Sequence, residues 1–120
     1  MRVISQDGTI DVPYDYFLLS VASGKYEGVE VAYIYCYNLS SPHGTKLAEY
    51  SSKEKALKAM EMLREAYREY IATVTTTQGI TQTLIFVDNN EDNLKLSANI
   101  VKGIKENIYF QFPKDDEVEV

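Results

Sequence analysis

The chain has 120 residues, enough for one hydrophobic core and one domain, since a chain of this size buries about two-thirds of the surface its unfolded form exposes. Its net charge of −6, from 12 basic and 18 acidic residues, argues against a general binder of duplex nucleic acid, whose affinity comes from neutralising phosphates. One cysteine, Cys36, excludes an internal disulfide framework, one histidine, His43, excludes most structural zinc sites, and neither a secretory leader nor a membrane-length apolar run is recognisable, which points to a cytoplasmic protein with no membrane partner.

The chain opens on a β-prone run, Met1 to Ser5. Gln6-Asp7-Gly8 supplies turn residues, and Thr9 to Val12 resumes an alternating pattern that Pro13 stops, which predicts an N-terminal hairpin. A second run, Tyr16 to Ala22, ends at Ser23-Gly24-Lys25, and a third, Val29 to Tyr37, follows. The third is apolar on both faces, with Val29, Val31, Tyr33, Tyr35 and Tyr37 alternating against Ala32, Ile34 and Cys36. That pattern predicts a central strand or a strand at a subunit contact. Asn38 to Gly44 reads as a loop by composition, and Thr45 to Tyr50 as a short strand.

The strongest helix signal comes next. Ser51 is placed to cap with Glu54 three residues on, while Ala56, Met60, Leu63, Tyr67, Tyr70, Ile71 and Val74 recur at helical spacing and charged residues fill the complementary faces. An amphipathic helix over residues 52 to 72, packed on one face of the sheet, is expected. Thr75-Thr76-Thr77-Gln78-Gly79 should break it, because clustered β-branched residues and glycine disfavour continuation. Ile80 to Val87 then reads as a strand. Asp88 with Glu91 is placed to open a second helix whose apolar face is Leu94, Ala98, Val101 and Ile104, and Ile108 to Phe112 is a final strand ended by Pro113. Asp115 to Val120 holds four of the acidic residues and reads as a solvated tail, dispensable for folding, behind a domain spanning residues 1–114.

No catalytic, metal-binding or phosphate-loop motif stands out, and no cofactor is implied. Cys36 and His43 are the only conceivable cysteine nucleophile and histidine base, but a lone cysteine in an apolar strand is ordinarily core packing. Asp7, Asp11 and Asp15 lack calcium-loop spacing and fit turn and strand-edge positions. Gly24 and Gly28 lie between strands, which suits a hairpin and not a dinucleotide fingerprint.

Two features suit binding. Arg64 and Arg68 stand one helical turn apart with Tyr67 between them, so guanidinium forks and an aromatic ring could meet phosphate and base together; the commoner use of such residues is a solvated face paired with Glu61, Glu65 and Glu69. Asn99 and Lys102 on the second helix could add base-reading and phosphate contacts. The stripe Tyr33, Tyr35 and Tyr37 suits base stacking, an oligomer interface or packing under the helix, and burial is its commoner use.

The segments MRVISQDGTIDVPYD, LAEYSSKEKALKAMEMLREAY and YFQFPKDDEVEV together resemble a widespread family of small proteins from phages and prophages of Firmicutes, and they cover somewhat less than half the chain. Among characterised phage proteins of this size, the chain is similar to the first type of Thoeris anti-defence protein. The resemblance implies a sheet-plus-helix protomer that assembles into homo-oligomers and sequesters a nucleotide-derived messenger, a cyclic ADP-ribose isomer or in some members a cyclic oligonucleotide, without degrading it. No ligand motif of that family is matched residue by residue, so no family binding residue is carried over.

The expected protein is thus an α+β domain: a mainly antiparallel sheet packed against one long amphipathic helix, with a second, shorter helix. The resemblance adds an anti-defence role as a messenger sponge, and Arg64, Tyr67, Arg68, Asn99 and Lys102 are the candidate ligand contacts. The alternative is a protein–protein interaction module that inhibits a host defence protein or nuclease, for which acidic mimicry of nucleic acid would be the sign.

Overall fold

Alternation in the first residues produces the expected hairpin: β1 (Arg2–Ile4) pairs antiparallel with β2 (Asp11–Pro13). In the computed structural model residues 1–87 and 91–120 are described, with side chains at all of them but 41, 83–87, 93, 97, 106 and 107. Each N-terminal carboxylate has a structural task. Asp7 closes the turn by accepting the Ser5 and Thr9 hydroxyls at 2.7 Å, and Asp11 pairs with the Arg2 guanidinium. Asp15 accepts the Tyr67 hydroxyl at 3.2 Å.

The larger sheet is an antiparallel meander of β3 (Leu18–Tyr26), β4 (Val29–Asn38) and β5 (Ser41–Tyr50), with β4 at its centre as expected. Two boundaries differ from the sequence reading. β3 continues through Ser23-Gly24-Lys25, and the chain reverses instead at Glu27-Gly28, both at positive φ (51° and 81°), the two-residue turn whose twist suits a hairpin. The segment Asn38 to Gly44 is not a loop: Asn38 pairs with Ser41 across a two-residue turn and β5 starts there. Pro42 misleads the compositional reading because β5 is an edge strand, where a missing N–H is tolerated.

The long helix α1 (Lys53–Val87) lies across one face of this meander. Its N-cap is Ser52, whose hydroxyl accepts the Lys55 N–H at 3.2 Å, while Glu30 from β4 takes the Lys53 N–H at 3.0 Å; the expected pairing of Ser51 with Glu54 is replaced by these contacts. Ala56, Ala59, Leu63, Tyr70 and Val74 are buried, Met60 and Tyr67 half-buried, and Ile71 faces solvent. The helix neither stops at residue 72 nor yields to a strand at Ile80–Val87. Thr73 donates its hydroxyl to the Glu69 carbonyl at 2.9 Å and Thr81 to the Gln78 carbonyl at 3.0 Å, so these residues are satisfied within the helix. Packing against α2 (Glu91–Asn107) outweighs the weak propensity of the Thr-Gly stretch. Asp88, the expected opener of that second helix, lies outside the described residues.

After α2 the chain returns as β6 (Tyr109–Gln111), parallel to β1, completing a small sheet in the order β2-β1-β6. Gln6 joins the two sheets. Its N–H donates to the Leu47 carbonyl at 2.8 Å, and its side-chain amide pairs with both the N–H and the C=O of Glu49 on the free edge of β5, at 3.0 and 3.1 Å. The result is an α+β fold of mainly antiparallel strands against one long helix, with a second, shorter helix. Its radius of gyration is 18.4 Å, above the roughly 14 Å expected of a compact chain this long. The excess comes from α1, which at 35 residues is about 52 Å long and outruns the sheet.

The C-terminal residues are not a solvated tail. Asp115 accepts the Ser51 N–H at 2.7 Å and pairs with Lys55 at 3.2 Å, Asp115–Glu117 forms a 3₁₀ turn, and Val118 is 3% exposed in the core. Charge composition concealed this because a single valine supplies the anchor. Deletion after Lys114 is therefore expected to cost about 2 kcal/mol, the burial energy of one valine, read as a lower denaturant midpoint; an unchanged midpoint would show that the segment does not dock. Acid should act through the same region. The Ser51 N–H, with Lys55 adding to it, holds the Asp115 carboxyl below its ordinary range, and the Thr9 and Ser5 hydroxyls bring Asp7 to about 2. Both folded pKa values lie below the unfolded ones, so their stabilisation is complete above about pH 4 and is lost as pH falls toward 2. Asp115→Asn should flatten part of that fall in a pH series of thermal melts.

Candidate functional site

Tyr67 is held in place by the N-terminal segment. Its ring stacks on Tyr14 with centroids 4.3 Å apart and lies 5.9 Å from Tyr70, and its hydroxyl points at Asp15. Burial, with the Asp15 carboxylate adding to it, pushes the Tyr67 hydroxyl pKa up. The ring is thus a strut between helix and N-terminal segment, not an open surface for a base. Arg64 and Arg68 are exposed on either side of it, and among the described residues neither forms an ion pair. Arg64 borders a recess of about 240 Å³ walled by Tyr14, Phe17, Leu18, Leu19 and Met60. Asn99 and Lys102 are exposed on α2. At 1.5 Å per residue, Asn99 and Lys102 stand about 12 and 17 Å from the start of α2, and Arg68 and Arg64 about 29 and 35 Å from the end of α1, so along the helix hairpin the two pairs are offset by roughly 12 to 22 Å.

A different surface gathers aromatic groups. Strand alternation sends Ala32, Ile34 and Cys36 of β4 under α1, where they are buried, and sends Tyr33, Tyr35 and Tyr37 to the opposite face. The tyrosine stripe therefore does not pack under the helix. Its rings form a ladder with centroids 5.9 and 6.3 Å apart, and each is only half-buried. On β3, Ser20 stands opposite Tyr35 and Ala22 opposite Tyr33, both small, while Leu18 stands opposite Tyr37; Gly24, opposite Val31, continues the low strip beyond Tyr33. On β5 the neighbours are charged. Lys46 Nζ stands 5.4 Å from the centroid of the Tyr33 ring and 3.7 Å from the Glu49 carboxylate. Gly44, at φ +79°, lets the Tyr37 ring lie against the β5 backbone, where any Cβ would overlap it.

The same face deepens at one end into a hollow of about 450 Å³, walled by Tyr26, Val29, Val31 and Tyr33 and rimmed by Glu30, Glu49 and Asp115. Those carboxylates are engaged by the Lys53 N–H, Lys46 and Lys55 respectively. The rim is lined by carboxylates, whereas the middle of the ladder presents aromatic rings beside Lys46, whose ammonium Glu49 partly neutralises. A flat heteroaromatic ring carrying an anionic group matches that middle portion.

The nucleophile-and-base pairing is not assembled. Cys36 is buried under α1, where burial pushes its thiol pKa up, and His43 is exposed on edge strand β5. Among the described residues no group of His, Cys, Asp and Glu is placed to hold a metal ion, and no described helix is long and apolar enough to cross a membrane. No protein-family model matches the chain, nor does any curated protein or solved structure.

The sequence carried a usable signal for the ladder: small Ala32 and Cys36 share one strand face, as close helix approach requires, and the bulky rings share the other. If Tyr67 is a strut, Tyr67→Ala should destabilise the fold by about 2 kcal/mol, below the cost of deleting a fully buried ring. Arg64→Ala with Arg68→Ala should stay within about 0.5 kcal/mol of wild type. Equal unfolding curves for wild type and Tyr67→Ala would refute the strut.

Proposed function

We propose that the protein is a phage-encoded anti-defence protein that binds and sequesters a nucleotide-derived immune messenger, a cyclic ADP-ribose isomer or a cyclic oligonucleotide, and does not degrade it. The observation that carries this reading is the half-buried ladder Tyr33-Tyr35-Tyr37 on the face away from α1, with Lys46 beside it. Base stacking on such rings contributes about 1–3 kcal/mol per base, and an adjacent ammonium can meet a phosphate. Retention without turnover needs only stacking and charge pairing, both of which this face supplies. The proposed place of action is the host cytoplasm, where the messenger would be made.

Self-association belongs to the same proposal. Ile71 and Ile80 on α1 and Leu94, Leu96 and Ile100 on α2 are exposed apolar residues on the part of the helix hairpin that outruns the sheet, and burial against further copies would remove them from water. In an oligomer, Arg64 and Arg68 of one copy could reach a messenger seated on another. The same residues would serve the alternative, an interaction module docked on a host protein.

The test is direct capture. Purified protein is incubated with lysate containing activated immune signal, washed and heated; an intact small nucleotide in the supernatant is expected, whereas a retained macromolecule and no small molecule would favour the interaction module. With a released nucleotide in hand, Tyr35→Ala should weaken its binding at least tenfold by calorimetry, equivalent to about 1.4 kcal/mol. Undiminished binding by Tyr35→Ala, together with loss in Arg64→Ala/Arg68→Ala, would move the site to α1.

A further inference from the structure

Among the described residues β3 is a nine-residue edge strand with one neighbour, β4, and it has no proline, no bulge and one charged residue, Lys25, to protect that edge. Its two ends present Leu18 and Tyr26, 71% and 72% exposed and both on the tyrosine face. Behind the strand the core is unclosed, because the recess walled by Phe17, Leu19 and Met60 opens there. We propose that this edge pairs antiparallel with β3 of a second copy, centred on Ala22, and that the messenger site is a trough shared by the two. The trough rests on the reading of the tyrosine face as the binding surface; the pairing does not.

The register follows from self-complementarity. Centring the two-fold axis on Ala22 sets Leu18 of each copy opposite Tyr26 of the other, so the most exposed apolar side chains of the strand cover one another. Lys25 then falls opposite Leu19, and no like charges meet. A two-fold pairing is closed, so it ends at two copies through this edge. The outer face becomes a six-stranded surface on which Ser20, Ala22 and Gly24 of both copies form a floor with little side-chain height. The two tyrosine ladders stand on either side of it, three strand spacings or about 14 Å apart. A single protomer has the floor and one wall only. The pair has two aromatic walls and a lysine behind each, which suits a cyclic ligand bearing two rings or two phosphates better than one open face does.

Cysteine scanning of the edge reads the pairing without any ligand. At a two-fold axis between antiparallel strands the Cα atoms of Ala22 would stand about 4.5–5.5 Å apart, within disulfide range. Those of Tyr26 would be eight residues out of register, or about 27 Å apart. Under mild oxidation Ala22→Cys should form a covalent dimer and Tyr26→Cys should not; crosslinking of both alike, or of Tyr26→Cys alone, would overturn the pairing. Because an edge cysteine can perturb its strand, a charge swap gives a second reading. Ala22→Lys and Ala22→Glu should each sediment as a smaller species than wild type and recover the wild-type size when mixed, while wild-type size in either alone would overturn the pairing. Titration with a cyclic ADP-ribose isomer separates the two claims. Tight binding by wild type that weakens tenfold or more in Ala22→Lys supports the shared trough, and equal binding by both overturns it. A crosslinked Ala22→Cys dimer that binds neither this isomer nor a cyclic oligonucleotide leaves the pairing standing and removes the messenger reading.

Discussion

The close approach of α1 to β4 decides the rest of the molecule. Ala56 and Ala59 on the helix face Ala32, Ile34 and Cys36 on the strand, and these small or compact residues are all essentially removed from water. Because strand side chains alternate, fixing that face under the helix fixes Tyr33, Tyr35 and Tyr37 on the other. A slip of one residue would bury tyrosines against the helix and expose the core set. The register is pinned at one end by the Glu27-Gly28 turn and along β5 by an irregularity that leaves both Leu47 and Ala48 facing the core. The aromatic face is therefore a consequence of core packing.

The small sheet and the C-terminal segment secure this arrangement from the side. Gln6 satisfies the outward backbone groups of Glu49, which would otherwise be an open sheet edge, and its amide also donates to the Pro113 carbonyl at 3.1 Å. Tyr50 reaches the same carbonyl at 2.7 Å from the core side, and Asp115 holds the start of α1 through Ser51 and Lys55. Long-range contacts thus concentrate around the first half of α1. Its distal half packs along α2 and keeps Ile71 and Ile80 in solvent, so local opening of the hairpin should require less free energy than opening of the sheet end.

Much of this was legible from residue order. The N-terminal hairpin, the central place of β4, the amphipathic face of α1 and the final strand follow from periodicity that tertiary structure reinforces. The errors share one cause, local composition set against a distant partner. Thr75 to Gly79 reads as a breaker until α2 packs along it, Pro42 and Gly44 read as loop until β4 pairs with them, and Asp115 to Val120 reads as solvated until Val118 finds the core. The candidate site was less legible. Arg64, Tyr67 and Arg68 form a persuasive pattern on a helical wheel, but sequence spacing gives no sign that Tyr14 and Asp15 claim the ring between the arginines. The tyrosine stripe was visible, and which way it faced depended on where the helix would settle.

The central claim is that the open tyrosine ladder receives the messenger. With ten tyrosines and no tryptophan, the chain suits selective ¹³C labelling of tyrosine rings, followed by NMR during titration with a cyclic ADP-ribose isomer and, separately, a cyclic oligonucleotide. Ring-current shifts at Tyr33, Tyr35 and Tyr37, with Tyr14, Tyr67 and Tyr70 unmoved, are the predicted result for the ligand that binds. Shifts confined to Tyr14, Tyr67 and Tyr70, or no shifts with either ligand, would contradict it.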